Sequence, residues 1–118
     1  MTDLVAWASN DNAEMKHVQR VVEGGEWEKV FLLSGADAKM ALPHGEKIKN
    51  VRLDSGKPMP ELVRDVRKAL EGNINTFETA VNLIGGSGKQ HSVLLSALLQ
   101  MGCGIRIVVY TAEGVKEL

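Results

Sequence analysis

A single cysteine, Cys103, among 118 residues leaves no partner for an internal disulfide. Aromatic residues make up only 4% of the chain, so a broad base-stacking platform interleaved with cations is missing. Charge of one sign is also missing, because 14 basic side chains face 15 acidic ones for a formal net charge of −1. No whole-molecule field therefore recruits nucleic acid or an anionic membrane, and an anionic ligand has to be held locally. The longest apolar-rich stretch, from Ser92 to Met101, is far shorter than a bilayer span. No cationic start followed by an apolar run marks a secretory signal, so the expected location is the cytoplasm. Internal repeats, linkers and low-complexity tracts are absent as well.

What is present fits one globular domain. Hydrophobic residues form 44% of the chain and charged residues 25%, ordinary values for a folded protein. A chain of this length can bury a core without a disulfide or a structural metal. Leu4 to Ala8 reads as a strand that ends in the turn-rich Ser9-Asn10-Asp11-Asn12. Met15, Val18, Val21 and Val22 recur at helical spacing up to Gly24-Gly25, a helix stop. Val30 to Leu33 is a buried strand closed by Ser34-Gly35, and Ala36 to Lys47 is either a loop or a short helix broken at Pro43. Ile48, Val51 and Leu53 suggest a third strand. Pro60, Glu61, Leu62, Val63, Val66, Ala69 and Leu70 describe an amphipathic helix ended by Gly72. Thr79 to Ile84 is a fourth strand, the apolar helix from Ser92 to Met101 follows, and Ile105 to Tyr110 is a fifth strand.

This alternation predicts an α/β fold, a Rossmann-like three-layer sandwich around a mainly parallel five-stranded sheet. With the common strand order 3-2-1-4-5, the loops after the first and fourth strands diverge at a switch point and leave a crevice. Those loops are Ser9-Asn10 and Gly85-Gly86-Ser87-Gly88-Lys89. Glycines admit a close backbone approach, a helix N-terminus offers N–H groups, Ser87 can cap the helix or bond a phosphate, and Lys89 is the turn's full positive charge. The simpler alternative is a tight strand-to-helix turn beside a solvated lysine, with Asn10 or Asn12 merely capping the first helix.

Two phosphate motifs are excluded. A Walker loop needs glycine at the position of Leu83 and a hydroxyl at that of Gln90. The dinucleotide fingerprint belongs after the first strand, where Ser9-Asn10-Asp11-Asn12 has no glycine. His17, His44 and His91 lack metal-ligand spacing, so neither a metal nor a cofactor is expected. His91 alone lies near the turn, as a phosphate contact, a proton donor or an ordinary first-turn residue. Trp7 reads as core, Cys103 as a small buried residue, Arg106 as a surface cation, and Asp37 and Asp54 as solvated loop residues. No catalytic triad, paired carboxylate or DNA-binding helix stands out.

Val81-Asn82-Leu83-Ile84-Gly85-Gly86-Ser87-Gly88-Lys89, followed by an apolar helix and Ile105 to Tyr110, resembles the signature of CARF domains, the CRISPR-associated Rossmann-fold sensors. That family's fourth strand runs into a Thr-Gly-Gly-Thr-Lys type turn. Here Ile84 replaces the first threonine and Gly88 moves the lysine one position later, a rotation of about 100° on a helix. The resemblance is specific over Val81 to Tyr110 and rests on element order elsewhere. It implies a homodimer that binds cyclic oligoadenylate across its two-fold axis, in an antiviral defence role. It also implies that metal-independent ring-nuclease chemistry is available, with Ser9 and Lys89 in the catalytic neighbourhoods. Ligand contacts would come from Ser9, Asn10, Gly85, Gly86, Ser87, Gly88, Lys89 and His91. The competing expectation is a small dimeric scaffold without a nucleotide. The helix from Gln90 to Met101 carries more apolar surface than one stripe requires, and the surplus is expected to meet a second subunit.

Overall fold

A computed structural model describes residues 2–38 and 42–118. Six strands and three helices follow one another as β1 (Thr2–Trp7), α1 (Asn12–Gly24), β2 (Trp27–Gly35), β3 (Ile48–Leu53), α2 (Met59–Leu70), β4 (Thr79–Asn82), α3 (Gly88–Gln100), β5 (Ile105–Thr111) and β6 (Gly114–Glu117). They build one sheet of order β3-β2-β1-β4-β5-β6. The first five strands are parallel and have the expected order, and β6 adds an antiparallel edge through a hairpin with β5. Thr111 and Gly114 face each other across that hairpin, and Gly114 has φ +100, the left-handed geometry of a tight turn. A four-residue edge strand offers almost no alternation to read, so the sequence pattern missed it.

Alternate side chains of the central strands point to opposite faces. Val5, Trp7, Phe31, Leu33 and Val81 pack against α2 and α3 through residues such as Leu62, Val66, Leu70, Leu94 and Leu98. Leu4, Ala6, Val30, Leu32 and Ala80 pack against α1, which contributes Met15, Val18 and Val21. The result is a three-layer Rossmann-like sandwich. Leu62, Val66 and Leu70 are fully buried along one side of α2, and each such side chain contributes about 1.5–3 kcal/mol. Trp7 belongs to this core and donates from Nε1 to the Gln90 carbonyl at 3.0 Å, which ties the end of β1 to the first turn of α3.

Other boundaries depart from the sequence pattern for local reasons. β2 is longer than its apolar run, because Trp27 at its start is buried and donates to the Val21 carbonyl at 2.9 Å. β4 stops at Asn82 rather than Ile84, since the Asn82 side chain accepts from the Ile84 N–H at 3.3 Å and donates to the Val108 carbonyl at 2.9 Å. Residues 36–38 and 42–47 form no helix, and the rest of that uncertain segment lies outside the described residues. Asp3 is fully buried in β1. Its carboxylate accepts from the backbone N–H groups of Lys29 at 3.1 Å and Asn75 at 2.8 Å, so it pins β2 and the loop before β4 to the central strand.

Candidate functional site

β4 lies beside β1, with Val5 opposite Val81 and Ala6 opposite Asn82, while β2 pairs on the other side of β1. The switch point therefore falls where expected. The loop after β1 and the turn after β4 meet there around a cavity of about 220 Å³. Ser9 and Asn10 come from the first, Gly86 and Ser87 from the second, and Gly35 and Asp37 from the end of β2, with Glu14 and Gln90 from the two helices.

Each loop has a local cause. Asp11 caps α1 by accepting from the Glu14 N–H at 2.9 Å. Ser9 donates from its hydroxyl to the Glu14 carboxylate at 2.6 Å and accepts from the Asp11 N–H at 3.0 Å. Asn10 donates to the Asp37 carbonyl at 3.1 Å, so this side chain joins the β1 and β2 loops and does not cap α1. Ser87 and Gln90 form a reciprocal capping box at the start of α3, a pattern written in the sequence as Ser-x-x-Gln. Gln90 also donates to the Ser55 hydroxyl at 3.2 Å.

Two of the three glycines in the turn are needed by packing. A Cβ on Gly85 would lie 2.2 Å from the Trp7 carbonyl oxygen, which no rotamer change relieves. Gly86 has φ +95, and its Cβ would press on Trp7 and Gln90. Gly88 has open space around it and serves as the first residue of α3.

Lys89 and His91 do not line the cavity. The Lys89 ammonium donates to the carbonyls of Ser55 and Lys57, both at 2.8 Å, and so anchors the loop between β3 and α2. His91 Nε2 lies 2.8 Å from the Gly85 carbonyl; a carbonyl only accepts, so His91 carries its hydrogen on Nε2 and braces the turn from below. Ser9, Asn10, Gly86 and Ser87 thus share one surface, while Gly85, Gly88, Lys89 and His91 shape or support it. The sequence reading missed Glu14, Gly35, Asp37 and Gln90. Asp37 reads as a solvated loop residue with no periodic signal around it, Glu14 carries no signal in the pattern, and only the capping pattern at Gln90 could have revealed its place.

The cavity is polar and acidic on one side. Glu14 and Asp37 supply carboxylates, no lysine or arginine among the described residues lines it, and the N-terminal ends of α1 and α3 add positive character. Hydroxyl, amide and carboxylate groups at this spacing suit the hydroxyls and edges of a nucleoside better than a bare phosphate cluster. Asp37 sits two residues past the end of β2, at the mouth of the cavity. Among the described residues, no group of three or more His, Cys, Asp or Glu side chains could hold a metal ion, and no helix is long and apolar enough to cross a membrane. No family model, curated protein or solved structure matches the chain.

Proposed function

We propose that this chain is a CARF-like sensor module that binds cyclic oligoadenylate at a homodimer interface. The observation that carries this reading is the convergence of Ser9 and Asn10 with Gly86 and Ser87 around one cavity at the switch point. In this reading Asp37 and Glu14 receive ribose hydroxyls, and the N-termini of α1 and α3 face the ring's phosphates. Two subunits related by a two-fold axis offer the same groups twice, which suits a symmetric ring. On α3, Ser92, Ser96 and Leu99 form an exposed line at helical spacing. Small residues there allow a close approach, and Leu99, 68% exposed, supplies apolar surface for a partner subunit.

The same arrangement would support ring cleavage without a metal. A ribose 2′-hydroxyl attacks the adjacent phosphorus, the bond to the 5′ oxygen breaks, and the proton leaves with that oxygen, giving a 2′,3′-cyclic phosphate and a 5′-hydroxyl. Ser9, polarised by Glu14, would orient the attacking ribose. Lys89 could reach the reacting phosphate only by releasing the Ser55 and Lys57 carbonyls, so the reading places charge stabilisation on the α3 N-terminus and gives Lys89 a positioning role.

A binding screen with cyclic tetra-adenylate, cyclic hexa-adenylate and linear adenylates, followed by product analysis, tests this function. Preference for one cyclic ring, weakened at least tenfold by Asn10→Ala, supports it. Equal or absent binding of all of them favours the second reading, a dimeric scaffold without a nucleotide. That alternative draws on the exposed apolar side chains of Leu99 and Phe77, the latter 91% exposed.

A further inference from the structure

A second concave surface lies on the side of α1 that faces the β5–β6 hairpin, and nothing in the proposed function uses it. It encloses about 500 Å³, more than twice the space of the switch-point cavity. Ala13, Lys16, His17 and Arg20 line one wall, and Tyr110 with the residues after it lines the other. Their spacing on α1 (i, i+3, i+4, i+7) puts all of them on one helix face. Ala13 is small, so the groove stays open toward the N-terminal end of that face.

The chemistry of this groove is the reverse of that in the switch-point cavity. Lys16 and Arg20 are both exposed, and among the described residues neither enters an ion pair. Among the described residues no acidic side chain lines the groove. The Arg20 guanidinium is stacked 5.5 Å above the centre of the Tyr110 ring, which limits its rotamers and leaves the edge of its planar fork to a ligand. His17 has a defined protonation state. Its Nε2 accepts from the Tyr110 backbone N–H at 3.3 Å and faces the Asn82 amide nitrogen at 3.1 Å. Asn82 uses its oxygen to accept from Ile84, so its nitrogen is the donor toward His17. The ring is thus neutral with its hydrogen on Nδ1, and burial lowers its pKa from the ordinary 6.5 in the same direction. Two cations, one of them pre-positioned, line the groove beside a neutral imidazole, with no carboxylate among the described lining residues.

The geometry points to this groove as a binding site for a phosphate group, free or carried by a small organic monoester, separate from the switch-point cavity. The inference does not depend on the CARF-like reading, because none of the residues named for that reading lines the groove.

The test is a titration of the isotopically labelled full chain with adenosine 5′-monophosphate, inorganic phosphate and adenosine, followed through backbone amide shifts. The expected result is that the nucleotide and inorganic phosphate move the amides of Lys16 to Arg20 and of Tyr110 to Ala112, with affinity that falls as salt is raised, whereas adenosine does not move them. A Lys16→Gln, Arg20→Gln double variant should bind the nucleotide at least tenfold more weakly while keeping the dispersed spectrum of the folded chain. Asn10→Ala should leave this binding unchanged. Adenosine shifting the amides of Lys16 to Arg20 and of Tyr110 to Ala112 as strongly as its monophosphate does, equal affinity in the double variant, shifts confined to the switch-point cavity, or no response to either phosphate compound would each overturn the proposal.

Discussion

Gly85 and Gly88 stand three positions apart in one glycine-rich turn, yet they have different duties. The Trp7 carbonyl blocks any side chain at Gly85, whereas Gly88 has free space and opens a helix. Gly85→Ala should therefore cost about 3 kcal/mol, since backbone rather than a flexible side chain has to move. Gly88→Ala should be neutral or stabilise by up to about 1 kcal/mol, as an alanine restricts the unfolded chain. Urea unfolding of the two variants checks both; equal losses would mean that the turn is not held against β1. Asp3 gives a second residue-scale expectation. Asp3→Ala would strand two partly buried backbone donors and should destabilise by about 1–3 kcal/mol, with Asp3→Asn milder because one oxygen still accepts. A thermal melt that showed the two variants to be equal would contradict the role given to the carboxylate.

Among the elements, α1 is the hinge of the account, since its start frames the switch-point cavity and its exposed face walls the cationic groove. His17 fastens it to β4 and β5 through the bonds from Asn82 and Tyr110. Burial lowers the His17 pKa in the folded chain, so below the ordinary value of 6.5 the unfolded chain takes up the proton first and stability falls with falling pH. Urea midpoints at pH 7.5 and at pH 5.5 should show that loss, and His17→Gln should reduce it. An unchanged slope would locate the acid sensitivity elsewhere. Asp65 acts in a lower window: its hydrogen bond to Lys57 lowers its pKa from 3.8, so its contribution, present above that value, disappears only in stronger acid.

The elements also show how far the sequence could be read. Alternating strands and helices pointed to a mainly parallel sheet, and the order common to such sheets put the fourth strand beside the first, as β4 lies beside β1. The glycine turn and the Ser9-Asn10 loop could therefore be brought together from pattern alone. β6 could not, because its only signals were Gly114 and a single alternation. Asp37 escaped for a different reason: its place depends on where β2 ends, and the segment after Gly35 has no periodicity. Lys89 was legible as a cation at the turn but not as a donor to the Ser55 and Lys57 carbonyls, since a side chain's partners across 32 or more residues leave no local trace.

For the molecule as a whole, a net charge of −1 conceals a separation. Carboxylates border the cavity at the switch point, and Lys16 and Arg20, which enter no ion pair among the described residues, border the groove between α1 and β5. The surplus apolar surface expected on α3 comes down mainly to Leu99, because Val93, Leu94, Ala97 and Leu98 are buried within the chain. If α3 meets a second subunit, Leu99→Asp should turn a dimer into a folded monomer in light scattering at micromolar concentration. A wild-type chain that is already monomeric there would count against a two-fold pocket. Calorimetric titration with cyclic tetra- and hexa-adenylate tests the central claim most directly: one ring bound per two chains is predicted for the wild type, with binding weakened at least tenfold in Asn10→Ala. One ring per chain, or no heat with either ring from folded protein, would contradict it.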